Sequence, residues 1–225
     1  MLSETERANM ILKLLQRTFE APKWFSSKSS DFQTLVATVI SQNTSDRNAD
    51  RAFSRLSEKF SITPQALSEA DLLDIEEALK IAGLYRNKAR IIKRLAKAIM
   101  ERFGGSLDFI RRLPLEESRK LLLELPGVGP KTADVLLLFR AGKPTIPVDT
   151  HIKRVSKRLG FASQNADYEE IRESLQELYD PEDYFEVHIL LIMLGRKYCR
   201  ARNPKCAECP VSRLCMTGSK MIGNA

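Results

Sequence analysis

The 225-residue sequence has no apolar run long enough to cross a bilayer. Its longest stretches, such as 189–194, fall far short of the roughly 20 residues a spanning helix needs. The opening residues, MLSETERANM, lack the basic-then-apolar order of a secretory signal, and Glu4 and Glu6 argue against an organellar transit peptide. A cytosolic, reducing setting with no membrane partner is therefore expected. Histidine is scarce: His151 and His188 are the only two, their spacing makes no metal pair, and both are read as structural. Cysteine is absent until position 199, and all four cysteines lie between Cys199 and Cys215. In a reducing compartment such a cluster reads as a metal site before it reads as disulfides. Strand-like alternation, internal repeats and low-complexity segments are also missing.

What is present is helical periodicity. At 43% hydrophobic and 29% charged residues the composition is that of a globular protein, and the length suits one or two domains. Ser3 with Glu6 forms a capping-box pattern ahead of Ile11, Leu14, Leu15 and Phe19 on one face. Asp31 is read as the cap of a helix through Ile40, and Thr63-Pro64 and Asp71 as further helix starts. Gly83, Gly104, Gly142 and Gly160 each follow an apolar-periodic run as a stop signal. Asp149 and Asp167 open two later helices. The fold class is all-α, with a frayed tail expected after Cys215.

The charge is unevenly spread. The formal net charge is +7. Residues 84–104 carry seven Lys/Arg against one Glu, 151–160 carry four with no acid, and 196–213 carry six against one Glu. Residues 166–187 carry nine Asp/Glu against one Arg. Three basic segments and one acidic back fit a polyanionic partner such as nucleic acid, with the acidic segment facing away from it. A cytoplasmic, nucleoid-associated protein follows from that expectation.

Three stretches carry chemistry. In Leu125-Pro126-Gly127-Val128-Gly129-Pro130-Lys131-Thr132 a helix ends, two glycines turn the chain, and Pro130 opens the next helix: a helix–hairpin–helix. Backbone N–H groups at such a turn and helix start cradle phosphate, which makes Gly127, Val128, Gly129 and Thr132 candidate DNA-backbone contacts. Lys131 stands at the second helical position, where the positive end of the helix dipole favours the free amine, the nucleophilic form; a plain phosphate contact is the alternative. Asp149, in Pro147-Val148-Asp149-Thr150-His151, is a helix cap that can also serve as a base or as an anion beside a developing sugar cation. Finally, Cys199, Cys206, Cys209 and Cys215 offer four thiolates within 17 residues. That donor set suits either Zn²⁺ or an iron–sulfur cluster. Arg200, Arg202, Lys205 and Arg213 sit on the same loop.

Taken together, LPGVGPKTA at 125–133, PTIPVDTHIKRVSKRLGF at 144–161, GLYRNKA at 83–89 and the C-x6-C-x2-C-x5-C tail resemble the endonuclease III family of helix–hairpin–helix DNA glycosylases. The resemblance spans nearly the whole chain. It implies a bifunctional enzyme that removes oxidised pyrimidines from double-stranded DNA and nicks the abasic strand by β-elimination. Lys131 would attack the sugar C1′ to form a Schiff base, assisted by Asp149. The four cysteines would hold a [4Fe-4S] cluster that positions basic residues, Arg200 and Lys205 among them, on the DNA. Flipping the damaged base leaves a gap, and the family fills it from two loops. The matching residues are Gln42 or Asn43 in one and Leu84 in the other. SQNTSD departs from the glutamine-then-small-residue pattern common there, and Pro130 replaces a basic residue.

The implied architecture is two helical domains: a six-helix barrel-like bundle over 24–143 containing the hairpin, and a discontinuous domain of 1–23 and 144–225 with the cluster loop. Lys131 and Asp149 would face each other across the boundary in a chain acting as a monomer. Two other readings share these motifs. A monofunctional mismatch glycosylase typically lacks a lysine at the position of Lys131. A non-catalytic DNA-binding module has no need of Lys131 and Asp149 together.

Overall fold

The computed structural model describes residues 2–20 and 29–223. Among these the chain is helical with no strand, as the periodicity implies. No helix among them is long and apolar enough to cross a membrane. The chain divides into two compact units, Ser27–Gly142 and Met1–Ser26 joined with Lys143–Ala225. The expected boundary at 23–24 lies outside the described residues.

The chain begins with α1 (Glu4–Thr18), where Ser3 and Glu6 form the capping box read from the sequence, and Ile11, Leu12 and Leu15 are buried. The unit Ser27–Gly142 follows with α2 (Asp31–Ser41), α3 (Asp46–Lys59), α4 (Pro64–Glu69), α5 (Leu72–Leu79), α6 (Tyr85–Phe103), α7 (Phe109–Arg112), α8 (Leu115–Leu123) and α9 (Pro130–Ala141). Six of these run eight residues or more, while α4 and α7 are short, with 6 and 4 residues. The six longer helices correspond to the expected bundle. Its core is drawn from the inward face of each: Leu35, Val36 and Ile40 of α2, Leu56 of α3, Ile75 and Leu79 of α5, Ile92, Leu95 and Ile99 of α6, Leu122 of α8, and Leu136 and Leu137 of α9 are inaccessible to solvent. Burying each such side chain contributes about 1.5–3 kcal/mol.

One cap differs from its reading. Ser30, not Asp31, caps α2, in a capping box with Gln33. Asp31 instead accepts from Arg111 Nη1 at 2.6 Å and Nη2 at 2.9 Å, and from Arg140 Nε at 2.9 Å, which ties the start of α2 to α7 and α9. Burial disfavours the charged carboxylate, but hydrogen bonds and charge from Arg111 and Arg140 outweigh it and hold Asp31 below the usual carboxylate range.

The other unit is built on α1, α10 (Thr150–Leu159), α11 (Tyr168–Leu178), α12 (Tyr184–Lys197) and α13 (Met216–Gly223). Asp149 and Asp167 cap α10 and α11 as read. The tail after Cys215 is not frayed: residues 216–223 form α13. It packs closely, because a Cβ on Gly218 would lie 2.8 Å from the Ser212 carbonyl oxygen. The Gly218 N–H also donates to Cys215 Sγ at 3.3 Å.

Candidate functional site

The hairpin between α8 and α9 is shaped by one obligatory glycine. Gly127 has φ +79°, and a Cβ there would stand 2.2 Å from Cγ2 of Ile91 on α6, so a side chain is excluded by both conformation and space. Gly129 differs. Its φ is −93° and nothing lies within 4 Å of where its Cβ would be. It is the N-cap of α9 but offers no side-chain cap, and Pro130 follows at the first helical position. The start of α9 thus presents the first-turn amides typical of an anion site. Lys131 is the second residue of that helix and is half-buried.

Two of the hairpin residues turn their side chains away from solvent. Val128 packs its side chain into the core, and its N–H closes the turn onto Leu125 O at 3.1 Å. Thr132 is buried as well. The chain reversal turns both side chains inward, so neither presents its side chain outside. Beneath the hairpin, Arg119 of α8 and Asp134 of α9 form a buried bidentate pair, at 2.9 Å (Nε to Oδ1) and 3.2 Å (Nη2 to Oδ2). The sequence reading missed this pair. Its signal is a charged residue at a core-facing position in each of the two hairpin helices.

The two loops read as gap-filling segments belong to the same unit as the hairpin. Gln42 and Asn43 follow α2 and are exposed. Gln42 Nε2 donates to the Gly127 carbonyl oxygen at 3.4 Å. Asn43 and Leu84 both have positive φ, 53° and 46°. Leu84, directly before α6, is 64% exposed despite its apolar side chain.

In the other unit, Asp149 uses both carboxylate oxygens. Oδ1 accepts from the Ile152 N–H at 2.8 Å, which is the cap bond of α10. Oδ2 lies 3.1 Å from Nδ1 of His151. His188 is structural as expected: it is buried, with Nδ1 2.9 Å from the Pro147 carbonyl oxygen. His151 is more than that, since its ring meets the candidate catalytic carboxylate. The i, i+2 spacing across a helix start was the available signal. Gly195 of α12 makes room for it, because a Cβ there would come within 2.9 Å of His151 Cβ.

Cys199, Cys206, Cys209 and Cys215 form no disulfide and line one pocket. Val155, Leu159, Leu194 and Val211 share the lining. Burial pushes the Cys206 thiol up, and Cys209 up to about 11, so iron must displace protons here. Among the described residues no three His, Cys, Asp or Glu side chains converge on a single ion. Four thiols around one apolar pocket fit the Cys-thiolate ligand set of an iron–sulfur cluster. N–H groups already face the sulfurs: Arg158 Nη1 is 3.5 Å from Cys199 Sγ.

The basic segment 151–160 has partners within the chain. Arg154 donates to the carbonyl oxygens of Cys199 and Gly195 at 2.8 and 3.1 Å. Arg158 donates to those of Arg200 and Ala201 at 2.6 and 3.1 Å. Lys157 binds Gln164 O at 2.6 Å. Two of the four cations of this helix, Arg154 and Arg158, thus brace the cysteine loop. The exposed charge on that loop is Arg200, Arg202 and Arg213, while Lys205 pairs with Glu208 at 3.1 Å.

A helix–hairpin–helix with a lysine at its second helix start, in a chain that ends in a four-thiol pocket, defines a nucleic-acid-directed iron–sulfur protein. The model of the HhH-GPD superfamily of base excision DNA repair proteins matches residues 36–181, and that of the iron–sulfur binding domain of endonuclease III matches 199–215. The chain is 37% identical over 204 residues to endonuclease III of Sulfolobus acidocaldarius, covering 90% of this chain and 89% of the relative. It is 38% identical over 192 residues to that of Bacillus subtilis, covering 85% and 84%. A solved structure of a trapped endonuclease III–DNA covalent intermediate aligns with a TM-score of 0.85 at 33% identity, over 99% of this chain and 100% of that one. The chain belongs to the endonuclease III family of the HhH-GPD superfamily. It is accordingly a DNA glycosylase and AP lyase of base excision repair, and its cofactor is a [4Fe-4S] cluster.

Proposed function

We propose that one copy of this chain removes oxidised pyrimidines from duplex DNA with Lys131 as nucleophile and Asp149 as its partner carboxylate. The observation that carries the reading is the placement of Lys131 at the second position of α9, directly after a hairpin whose Gly127 admits no side chain. The unprotonated Lys131 amine attacks the sugar C1′ and the C1′–N bond to the base breaks. The base departs with its electron pair and takes up a proton. Asp149, ionised and oriented by the Ile152 N–H and His151, opposes the positive charge that develops on the sugar. The attacking nitrogen loses a proton, the C1′–O4′ bond opens with O4′ taking up a proton, and the iminium so formed at C1′ acidifies the C2′ hydrogen; loss of that hydrogen expels the 3′ phosphate, and water then frees Lys131. Every step balances without an electron donor or acceptor.

The hairpin amides around Gly129 and the start of α9 hold a backbone phosphate. Leu84 and one of Gln42 and Asn43 enter the gap left by the flipped base, at a cost of about a few kcal/mol for unstacking. Cys199, Cys206, Cys209 and Cys215 would hold the cluster, and their iron–thiolate bonds would fix the loop bearing Arg200 and Lys205. The test is borohydride trapping on duplexes carrying oxidised pyrimidines or an abasic site. The wild-type chain is expected to form a covalent adduct that Lys131→Gln does not. Equal trapping by Lys131→Gln overturns the assignment of the nucleophile.

A further inference from the structure

Lys88, on α6, is only 3% exposed, yet among the described residues no carboxylate is one of its partners. Its ammonium donates to Ile40 O at 2.7 Å, to Ala82 O at 2.9 Å and to the Thr44 hydroxyl. The Thr44 hydroxyl in turn donates to Ala82 O. Ile40 lies in the last turn of α2, where carbonyls lack intrahelical donors and the dipole is negative. Ala82 ends the 3-10 turn Lys80–Ala82 that leads into Gly83 and Leu84. The buried charge therefore joins the roots of two loops. Gln42 and Asn43 lie two and three residues beyond Ile40, and Leu84 lies two beyond Ala82.

We propose that Lys88 is a positioning residue for base flipping: it clamps the 41–45 loop to the 83–85 loop, so that both enter the duplex in fixed relation. Two observations require such a clamp. Asn43 and Leu84 sit in the left-handed region, which costs a non-glycine residue stability unless its surroundings hold it there. An apolar side chain in place of Lys88 would avoid the desolvation of a buried amine, which here pulls its pKa below the usual lysine value. What the amine adds is three hydrogen bonds to two separate segments, and Thr44 makes the link direct.

The inference rests on the proposed entry of Leu84 and of Gln42 or Asn43 into the gap, and its test separates the two. Lys88→Met, Thr44→Val and Leu84→Ala are compared with the wild-type holoenzyme on one oxidised pyrimidine, presented either paired in a duplex or unpaired in a bulge. A neighbouring 2-aminopurine reports unstacking, and melting temperature reports folding. Thr44→Val and Lys88→Met are expected to slow unstacking and excision of the paired lesion about tenfold or more, the scale set by ångström-level misplacement. Excision of the bulged lesion should change little, a split that general destabilisation does not produce. Should Lys88→Met fail to fold, Thr44→Val decides alone. Equal loss on both substrates, or wild-type unstacking by Thr44→Val while Leu84→Ala is impaired, overturns the clamp. Wild-type unstacking by Leu84→Ala removes the gap-filling premise, and the clamp falls with it.

Discussion

Asp149 Oδ2 and His151 Nδ1 stand 3.1 Å apart across the first turn of α10, while Asp149 Oδ1 accepts the cap bond from Ile152. The cap fixes where the carboxylate stands and the imidazole fixes which way its second oxygen turns. A helix cap is thereby also a fully oriented anion. Structural and chemical roles of Asp149 separate in one substitution. Asparagine caps a helix about as well as aspartate, so Asp149→Asn should shift stability by only a few tenths of a kcal/mol. Base release in single turnover should fall about 10²–10³-fold, as when one preorganised charge-stabilising group is lost. His151→Ala should lose about tenfold or less, because the Ile152 bond remains.

The hairpin glycines predict opposite outcomes. Gly127→Ala forces a side chain into positive φ and into Ile91, at about 1–2 kcal/mol for conformation and a further 1–3 for overpacking. Its thermal midpoint should drop clearly. Gly129→Ala meets nothing within the protein and should cost no more than about 1 kcal/mol as a poorer cap. Its DNA affinity should nonetheless fall, because the added methyl stands where the phosphate approaches. A Gly129→Ala chain that binds DNA as wild type would remove the hairpin from the interface.

Asp31 sets an acid limb to stability. Its carboxyl is depressed in the folded chain, so its contribution is fully present above the unfolded value of about 3.9 and is lost as pH falls through the lower folded value. Asp31→Asn should lower stability at pH 7 by about 2 kcal/mol, the scale of charge-assisted hydrogen bonds. The difference from wild type should shrink as pH is brought below 4, read from melting midpoints between pH 7 and pH 3.

Helix positions were legible because local signals set them: Ser3 with Glu6, Thr63-Pro64, Gly104 and Gly160 each act within one turn. The hairpin and the cysteine tail were legible because their residues are close in sequence. Long-range polar contacts were not. Arg111 and Arg140 draw Asp31 away from capping, and Arg119 finds Asp134 only once α8 and α9 pack. Lys88 reads as one more charge on a basic helix, since the carbonyls that hold it come from distant segments. The same holds for 151–160, where the carbonyl partners of Arg154 and Arg158 lie in the cysteine loop, far along the chain.

That bracing predicts how loss of the cluster divides binding from chemistry. Cys206→Ser removes one of four thiolates and should reduce the absorbance near about 400 nm that marks iron–sulfur centres. The loop it anchors carries Arg200 and Arg202, which are exposed, whereas Lys131 belongs to the other compact unit. Affinity for duplex DNA should therefore fall, and its dependence on salt should flatten as phosphate contacts are lost. Strand scission by saturating Cys206→Ser protein should persist, because no step at Lys131 uses the cluster. Arg158→Ala, which leaves all four thiols in place, should weaken DNA binding in the same direction by freeing the Arg200 and Ala201 carbonyls from their donor. Retention of full affinity by Cys206→Ser protein without its iron would show that the cluster does not order the binding surface.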